Sequence, residues 1–584
     1  MNIVWTRRIS QVFFLILFFW FSFATVFGTK WFQLRGWPIN LFLELDPLVA
    51  IGTLLTTQTI YKGLLWALLT LLVTIVFGRV FCGWVCPFGT MHHFFGWIGS
   101  YKRGARVKME KNRYRKWQAL KYYILAAFLV MAAFPIATSS TLITGLLDPI
   151  PFVTRATNLS LMPIADGFGL RTTASPRHYD HATLIGLLFL TALLANLAIP
   201  RFYCRVLCPT GALLGIFSRF TLWRIAKKSP GCNHCEMCES YCEGAADPAL
   251  KPRISECLVC MNCVDNYCNR DLITYRNEES VEGDIPAPQI SRRGLLLAMG
   301  SGAIALPMLH LGDHLGSNYS PQTIRPPGSL AEEDFVQRCI KCGQCMKVCP
   351  TNIIMPAGLG TGLEGIWTPV LNFRIGTSGC QLNCVACSHV CPTAAIRPLT
   401  LDEKHGTGSF KESGPIRLGT AFVDRGRCLP WSMETPCLVC EENCPVTPKA
   451  IHVHEFMNTI RHGRRKVLSA SAEGIKLDGP SLTPSGLATG DYYLRVEGTS
   501  TPPLRITANS AETVSVAEAT ILDPGINVSI QVQLGGPVVD PDLCIGCGVC
   551  EHECPVSGLR AIRVSSENES RNKRSKMKIR RVDA

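Results

Sequence analysis

All 28 cysteines of this 584-residue chain fall into eight short, regularly spaced groups, with none left over. Six groups hold four each. They are Cys232, Cys235, Cys238 and Cys242; Cys257, Cys260, Cys263 and Cys268; Cys339, Cys342, Cys345 and Cys349; Cys380, Cys384, Cys387 and Cys391; Cys428, Cys437, Cys440 and Cys444; and Cys544, Cys547, Cys550 and Cys554. The last four cysteines stand as two Cys-x-x-x-Cys-Pro pairs, Cys82/Cys86 and Cys204/Cys208. The spacing C-x2-C-x2-C-x3-C, mostly followed by Pro, reads as ligation of [4Fe–4S] cubanes. Each cubane ties four points of the backbone to one small rigid body, so the groups constrain the fold more than any other pattern does.

Other uses of cysteine fit less well. A disulfide scaffold seldom repeats one spacing six times, and Pro after the fourth cysteine has no disulfide rationale. Zinc usually takes two separated Cys-x-x-Cys pairs. There is no C-x-x-C-H, so covalent c-type haem is not expected. Where two groups pair, the fourth cysteine of each ligates the neighbour's cluster. That rule predicts six sets. They are Cys232, Cys235, Cys238 with Cys268; Cys257, Cys260, Cys263 with Cys242; Cys339, Cys342, Cys345 with Cys391; Cys380, Cys384, Cys387 with Cys349; Cys428, Cys437, Cys440 with Cys554; and Cys544, Cys547, Cys550 with Cys444.

Apolar residues make up 47% of the chain and concentrate before residue 225. Four spans, near 9–28, 60–77, 119–137 and 183–200, have about the length that crosses a bilayer. The net charge of +14 does not point to nucleic acid, because nine of the twenty residues from Lys102 to Lys121 are basic and lie between two spans. Together with Arg7, Arg8 and the basic residues after 200, they predict a cytoplasmic N-terminus and a cytoplasmic 78–118 loop. A further basic run, Arg571–Arg581, reads as a solvated terminus or as a dock for an acidic or lipid surface.

The first half is duplicated. Arg79-Val-Phe-Cys-Gly-Trp-Val-Cys-Pro-Phe-Gly89 matches Arg201-Phe-Tyr-Cys-Arg-Val-Leu-Cys-Pro-Thr-Gly211, and each copy is preceded by Leu-Asp-Pro, at Asp46 and Asp148. Both copies run in the same direction, which predicts a twofold axis along the membrane normal. The four cysteines Cys82, Cys86, Cys204 and Cys208 would then meet, to hold a metal or a seventh cluster, to act as redox thiols, or simply to fill space. Asp46 and Asp148 are expected in loops at the membrane edge, as turn residues or as acceptors of quinol protons. His92 and His93 read as interfacial histidines or quinone contacts.

Ser291-Arg292-Arg293 opens an apolar stretch to about residue 311, in the manner of a twin-arginine export signal. Export would place everything after about residue 312 in the periplasm. Strand-like alternation at 492–496, 504–508, 513–516 and 526–534 predicts a β-rich insert at about 451–540. The expected architecture is multi-domain. A four-helix transmembrane domain spans 1–228 and a cytoplasmic two-cluster ferredoxin-like α+β lobe spans 229–275. A linker and signal or anchor follow at 276–311, then a four-cluster ferredoxin-like domain with the β-rich insert at 312–584.

On these motifs, residues 1–275 resemble the NapH type of membrane ferredoxin protein. Residues 291–584 resemble the NapG or MauM-like ferredoxin type, including the stretch Gly365-Ile-Trp-Thr-Pro-Val-Leu-Asn-Phe-Arg-Ile-Gly376. The membrane half is also similar to the core of NosR-type proteins. The resemblance implies a quinol dehydrogenase in the bacterial inner membrane, passing electrons from the quinone pool through six [4Fe–4S] clusters. Its partner would be a periplasmic reductase, such as nitrate reductase, or a c-type cytochrome. Alternatives are an all-cytoplasmic ferredoxin relay to the quinone pool and a non-enzymatic metalloenzyme accessory protein. How electrons would pass between cytoplasmic and periplasmic clusters is left open by the sequence.

Overall fold

The computed structural model describes residues 3–27, 38–133, 143–169, 176–230, 232, 235–265, 267–268, 272–315, 323–471, 474–518 and 522–571. Of the basic C-terminal run only Arg571 lies among them. The chain forms two compact units. The first comprises residues 1–377, 383–416 and 570–574, and the second comprises 378–382, 417–569 and 575–584.

In the first unit, four helices begin alike. Pro occupies the first turn of Pro47–Thr57, Pro87–Ser100, Pro149–Ala156 and Pro209–Phe217, and the residues before them, Asp46, Cys86, Asp148 and Cys208, are the N-caps. Pro suits this position because its missing N–H is one that the first turn leaves unpaired anyway. The Asp-Pro and Cys-Pro motifs of both copies are therefore helix starts. This corrects the expectation of Asp-Pro in edge loops, since Asp46 and Asp148 have no exposed surface at all.

Among the described residues one helix, Ile3–Phe23, is long and apolar enough to cross a membrane. The other expected spans form shorter pieces. The second is a 3-10 turn, Lys62–Trp66, leading into helix Ala67–Phe77, and the fourth is helix Ala182–Leu194 ending in a 3-10 turn, Ala195–Leu197. The third begins as helix Leu120–Ala133, and its expected end lies outside the described residues.

These helices are inverted relative to a water-soluble core. On the first, Arg7, Gln11 and Ser22 are buried while Trp5, Ile9, Phe13, Ile16 and Trp20 are exposed. On Ala67–Phe77, Thr70 and Thr74 are buried and Leu68, Leu69 and Leu72 are exposed.

Two cysteine-rich lobes grip the helices from different ends. Residues 242–268 lie against the Cys82–Cys86 segment, where a side chain at Gly83 would stand 2.2 Å from the Leu258 carbonyl. Trp84 Nε1 donates to the Val259 carbonyl (2.9 Å), and Arg79 Nη1 donates to that of Ser255 (2.8 Å). Residues 337–346 lie against the helices that the aspartates cap. A side chain at Gly145 would meet the Ile340 carbonyl at 2.3 Å. Arg155 Nη1 donates to Lys341 O (3.2 Å), Asn158 Nδ2 to Cys342 O (3.3 Å), and Thr56 Oγ1 to Gln337 O (2.8 Å).

Helix Arg292–Leu315 links the lobes and carries the twin arginine. It packs along Leu120–Ala133, with Ser291 and Gly294 at Tyr123 and Gly302 on the Ala127 backbone. Tyr122 and Lys121 bond Glu256 of the first lobe, so the linking helix starts beside that lobe and rises away from it. At 24 residues it is about 36 Å long.

The second unit contains the β-rich insert as a closed six-stranded barrel. Its strands run in the order Thr513–Val516, Gly474–Leu477, Ile451–Ser471, Asn527–Val539, Tyr492–Val496 and Leu504–Asn509, with the last pairing the first. Val467, Ile475, Leu494, Ile506, Val514, Val528 and Ile530 fill the interior. The register between the two long strands shifts between Ser529 and Gln531. Gly463 lies opposite, where a side chain would stand 2.7 Å from the Ile530 carbonyl.

Candidate redox site

Five cavities coincide with five of the expected cysteine sets. One is lined by Cys242, Cys257, Cys260 and Cys263, and another by Cys232, Cys235, Cys238 and Cys268. A third holds Cys339, Cys342, Cys345 and Cys391. In the second unit one holds Cys428, Cys437, Cys440 and Cys554, and another Cys444, Cys544, Cys547 and Cys550. Each encloses 310–430 Å³ of empty space, its mouth included. The donors suit a cluster. They are thiols on apolar walls, and several receive backbone N–H groups, as Cys242 does from Ala246 (3.1 Å) and Cys544 from Ala421 (3.4 Å). Of the sixth set, Cys349, Cys384 and Cys387 belong to the first unit and Cys380 to the second, where its N–H donates to Cys547 O (2.7 Å).

The two Cys-x-x-x-Cys-Pro pairs come together. Cys86 and Cys208 each lie within electrostatic reach of Cys82 and Cys204, and Cys208 also of Cys86. Cys86 and Cys208 are buried, and Cys82 and Cys204 are half-buried. Each capping sulfur accepts a backbone N–H from its own helix, Gly89 to Cys86 (3.4 Å) and Gly211 to Cys208 (3.1 Å). The motif is thus an N-cap, a proline, and a glycine whose N–H points back at sulfur. Among the described residues, no three His, Cys, Asp or Glu side chains are spaced to hold a single metal ion.

Next to the thiols the two aspartates face one another. Thr210, two residues past Cys208, donates to Asp148 Oδ1 (2.7 Å), and Asp46 Oδ1 accepts from Leu48 N (3.0 Å). Burial raises both carboxyls; Asp46 opposes ionisation of Asp148, whereas the hydrogen bond from Asp148 favours ionisation of Asp46. Asp46 is pushed up to about 6 and Asp148 well above the usual carboxylate range. Two carboxyls in one dry site cannot both ionise cheaply, so the pair retains a proton that either can hold.

From this pair a line of buried groups leads to the 337–346 lobe. Tyr203 lies within electrostatic reach of Cys208, Asp148 and Arg155, and its hydroxyl donates to Leu147 O. Arg155 lies in turn within reach of Cys339 and Cys342. On the other side, Arg201 Nε donates to Glu243 Oε2 (2.7 Å), and Arg201 senses both Cys204 and Cys260.

The histidines part company. His92 is buried against Phe88 and bonded to Asn196, and burial holds its imidazole down at about 3, so it is neutral. His93 faces Glu243 at 3.2 Å. His92 is fully buried, whereas His93 is half-buried. Sequence reasoning assigned no role to Arg79, Arg201, Thr210, Tyr203, Arg155 or Glu243. The repeat itself carried a cue for the first two, since both copies place an arginine three residues before the first cysteine.

A family described as 4Fe-4S binding domain matches residues 59–106 and 181–228, one copy of the repeat each, and a second family of the same description matches 336–355 and 537–560. The chain is 26% identical over 255 residues to the putative electron transport protein YccM of Escherichia coli, covering 43% of this chain and 66% of that protein. It is 27% identical over 240 residues to the regulatory protein NosR of Pseudomonas aeruginosa, covering 41% of this chain and 28% of the relative. It is 31% identical over 177 residues to the ferredoxin-type protein NapG of Escherichia coli, covering 30% of this chain and 71% of that protein. The chain therefore spans about two thirds of YccM and less than a third of NosR. No solved structure matches it.

Proposed function

Because the chain belongs to the family of ferredoxin-type 4Fe-4S electron-transport proteins, we propose that it is a membrane-bound quinol dehydrogenase feeding a periplasmic reductase. The observation that carries this reading is the buried Asp46–Asp148 pair, set between two cysteine-rich lobes. Oxidation of a quinol yields a quinone, two electrons and two protons. At neutral pH the pair keeps one proton and is a base for one more, so it takes the two quinol protons in turn, releasing the first to solvent before the second arrives. Thr210 and the Leu48 N–H hold the two carboxyls in place. Clusters bound at the cysteine sets would accept and pass electrons one at a time.

Lipid contact is supported by the inverted helices. Leucines and aromatics at helical spacing face outward while arginine, glutamine and threonine face in, which is costly in water and favourable in hydrocarbon. The linking helix supports lobes on different sides. Its length of about 36 Å exceeds the ~30 Å hydrocarbon layer. The name of the relative NapG matches a role as a ferredoxin-type electron carrier here.

The test is anaerobic. Oxidised protein in liposomes is mixed with a reduced menaquinol or ubiquinol analogue, and the visible cluster absorbance is followed. Bleaching with quinol and its return on adding an oxidant is the expected result. Protein that dithionite bleaches but no quinol does would overturn the reading and favour an accessory role.

A further inference from the structure

We propose that Arg155 sets the redox potential of the cluster held by Cys339, Cys342, Cys345 and Cys391, raising it so that this cluster draws electrons out of the helical half. The direction of flow rests on the relay reading above, whereas the effect on the cluster does not.

Arg155 stands in the last turn of helix Pro149–Ala156 and has no exposed surface. Its guanidinium lies over the Trp367 ring, 4.7 Å from the ring centre, and over Phe152 of its own helix at 5.5 Å. Nη1 donates to Gly145 O (3.1 Å) and Lys341 O (3.2 Å), and Nη2 to Leu146 O (3.0 Å). Nε has no hydrogen-bond partner. Among the described residues no carboxylate acts on this charge; the groups that do are Tyr203, Cys342 and Cys339.

An arginine stays charged in any protein setting, and a dry cation without a counter-ion is costly. Arg7 and Arg201 share Glu243, Arg177 holds Asp166, and Arg325 holds Glu332. Arg155 has the cysteines instead. A cubane on four thiolates is an anion, and the Cys339 set lines a cavity that suits one.

The contact is also directed. The carbonyl of Lys341 and the N–H of Cys342 belong to one peptide unit, and that N–H faces the Cys342 sulfur. Arg155 grips the other end, which polarises the N–H toward sulfur. Asn158 donates to the next carbonyl, Cys342 O (3.3 Å). Lys341 and Gly343 take positive φ angles of 58° and 75°, so this turn is held in a conformation that Lys341 seldom adopts. Trp367 is set the same way, at φ 60°. The stretch Gly365–Gly376 thereby serves to lay an indole on the guanidinium.

Net charge and hydrogen bonds to sulfur set a cluster's potential. Reduction adds one electron, and a fixed positive charge stabilises the more negative state. The electron comes from quinol, as proposed above. Arg155 itself gains and loses nothing, and no bond is made or broken at it.

The test is a mediated redox titration of full-length protein purified anaerobically, followed by EPR with iron measured alongside. In Arg155→Gln one component should show a ratio of reduced to oxidised cluster at least tenfold lower at a fixed potential, a fall of about 59 mV in midpoint. Its iron should equal that of the wild type, and the other components should not move. Arg155→Met fills the slot between Trp367 and Phe152 with an apolar chain; it should shift the same component and serves if the glutamine variant does not fold. Arg155→Lys keeps the charge and should keep the wild-type midpoint. A neutral variant with full iron and unmoved midpoints overturns the proposal, as does a lysine variant shifted as far as the neutral ones. Iron lost from both neutral variants also overturns it, because the residue then holds the loop and does not tune the cluster. A midpoint shift without quinol-driven bleaching would sink the proposed function and leave this role standing, and bleaching without the shift would do the reverse.

Discussion

Replacing Asp46 by Asn should stabilise the protein and stop its quinol chemistry. The Asp46 carboxyl sits at about 6 against an ordinary 3.8 because it is buried, an effect that the hydrogen bond from Asp148 offsets only in part. The sign follows from the raised value. Folding favours the protonated form, so the favourable contribution is complete below pH 3.8 and is lost as pH rises through about 6. At neutral pH the ionised group costs the difference, about 2.2 pH units, or about 3 kcal/mol. Asn removes the ionisation and keeps the helix cap, since it accepts from Leu48 N as Asp does and caps as well. The expected gain is up to ~3 kcal/mol at pH 7, shrinking to near zero at pH 4. For a unit of this size that is a rise of several degrees in the melting midpoint. In the same variant, quinol-driven bleaching should fall at least tenfold, and the rise of the wild-type rate through pH 6 should disappear. The assays are thermal unfolding in detergent at pH 4 and pH 7, and stopped-flow bleaching between pH 5 and 8. An N variant destabilised equally at both pH values would refute the buried-charge argument. One that keeps the wild-type rate and pH profile would refute the proton-accepting role.

Other parts of the first unit make sharper structural demands. Glu243 accepts from Arg7 (2.9 Å) and Arg201 (2.7 Å), so Glu243→Gln leaves two buried cations and should cost about 3–5 kcal/mol in chemical unfolding; a cost below 1 kcal/mol would show the site to be wet. Gly83→Ala places a methyl 2.2 Å from the Leu258 carbonyl and should strip iron from the first lobe, whereas Gly167→Ala, which meets nothing within 4 Å, should match the wild type in iron content. Burial alone would raise the Glu332 carboxyl, yet Arg325 and Arg571 hold it at about 2. Its contribution is present above 4.5 and lost as pH falls through about 2. Because its side chain is 44% exposed, Glu332→Gln should cost only about 1 kcal/mol at pH 7 and nothing at pH 1.5, read by denaturant titration.

What the sequence made legible follows the range of each interaction. Cysteine spacing is local and chemically strict, and the structure gathers five of the six cross-paired sets in cavities. Strands Tyr492–Val496 and Thr513–Val516 are short and alternate cleanly, and their limits match the sequence reading. Strand Ile451–Ser471 was not foreseen. Much of its length is exposed and polar, as at Arg461 and Arg464, and a strand of 21 residues buried on one face for only part of its length shows little alternation. Spans judged by composition came out as shorter pieces, because hydropathy does not register breaks such as the 3-10 turn at Lys62–Trp66.

The aspartates show where local reading fails and why. Asp-Pro is a turn in most sequences, and nothing within ten residues of Asp46 or Asp148 distinguishes them from that. Their meaning comes from duplication. A parallel repeat brings equivalent N-caps together, so one Asp-Pro in each copy becomes a carboxyl pair and one Cys-x-x-x-Cys-Pro in each copy becomes a group of four thiols. The arginines span both copies: Arg79 lies at Gly211 and bonds Cys82 Sγ of its own copy (3.9 Å), and Arg201 lies at Gly89. The duplication also differs where the surroundings do. Gly83 and Arg205 are equivalent positions, yet one must be glycine because a lobe's backbone rests on it, and the other ties residues 111–113 with its guanidinium. A symmetric interior with asymmetric faces lets one buried centre meet two different lobes.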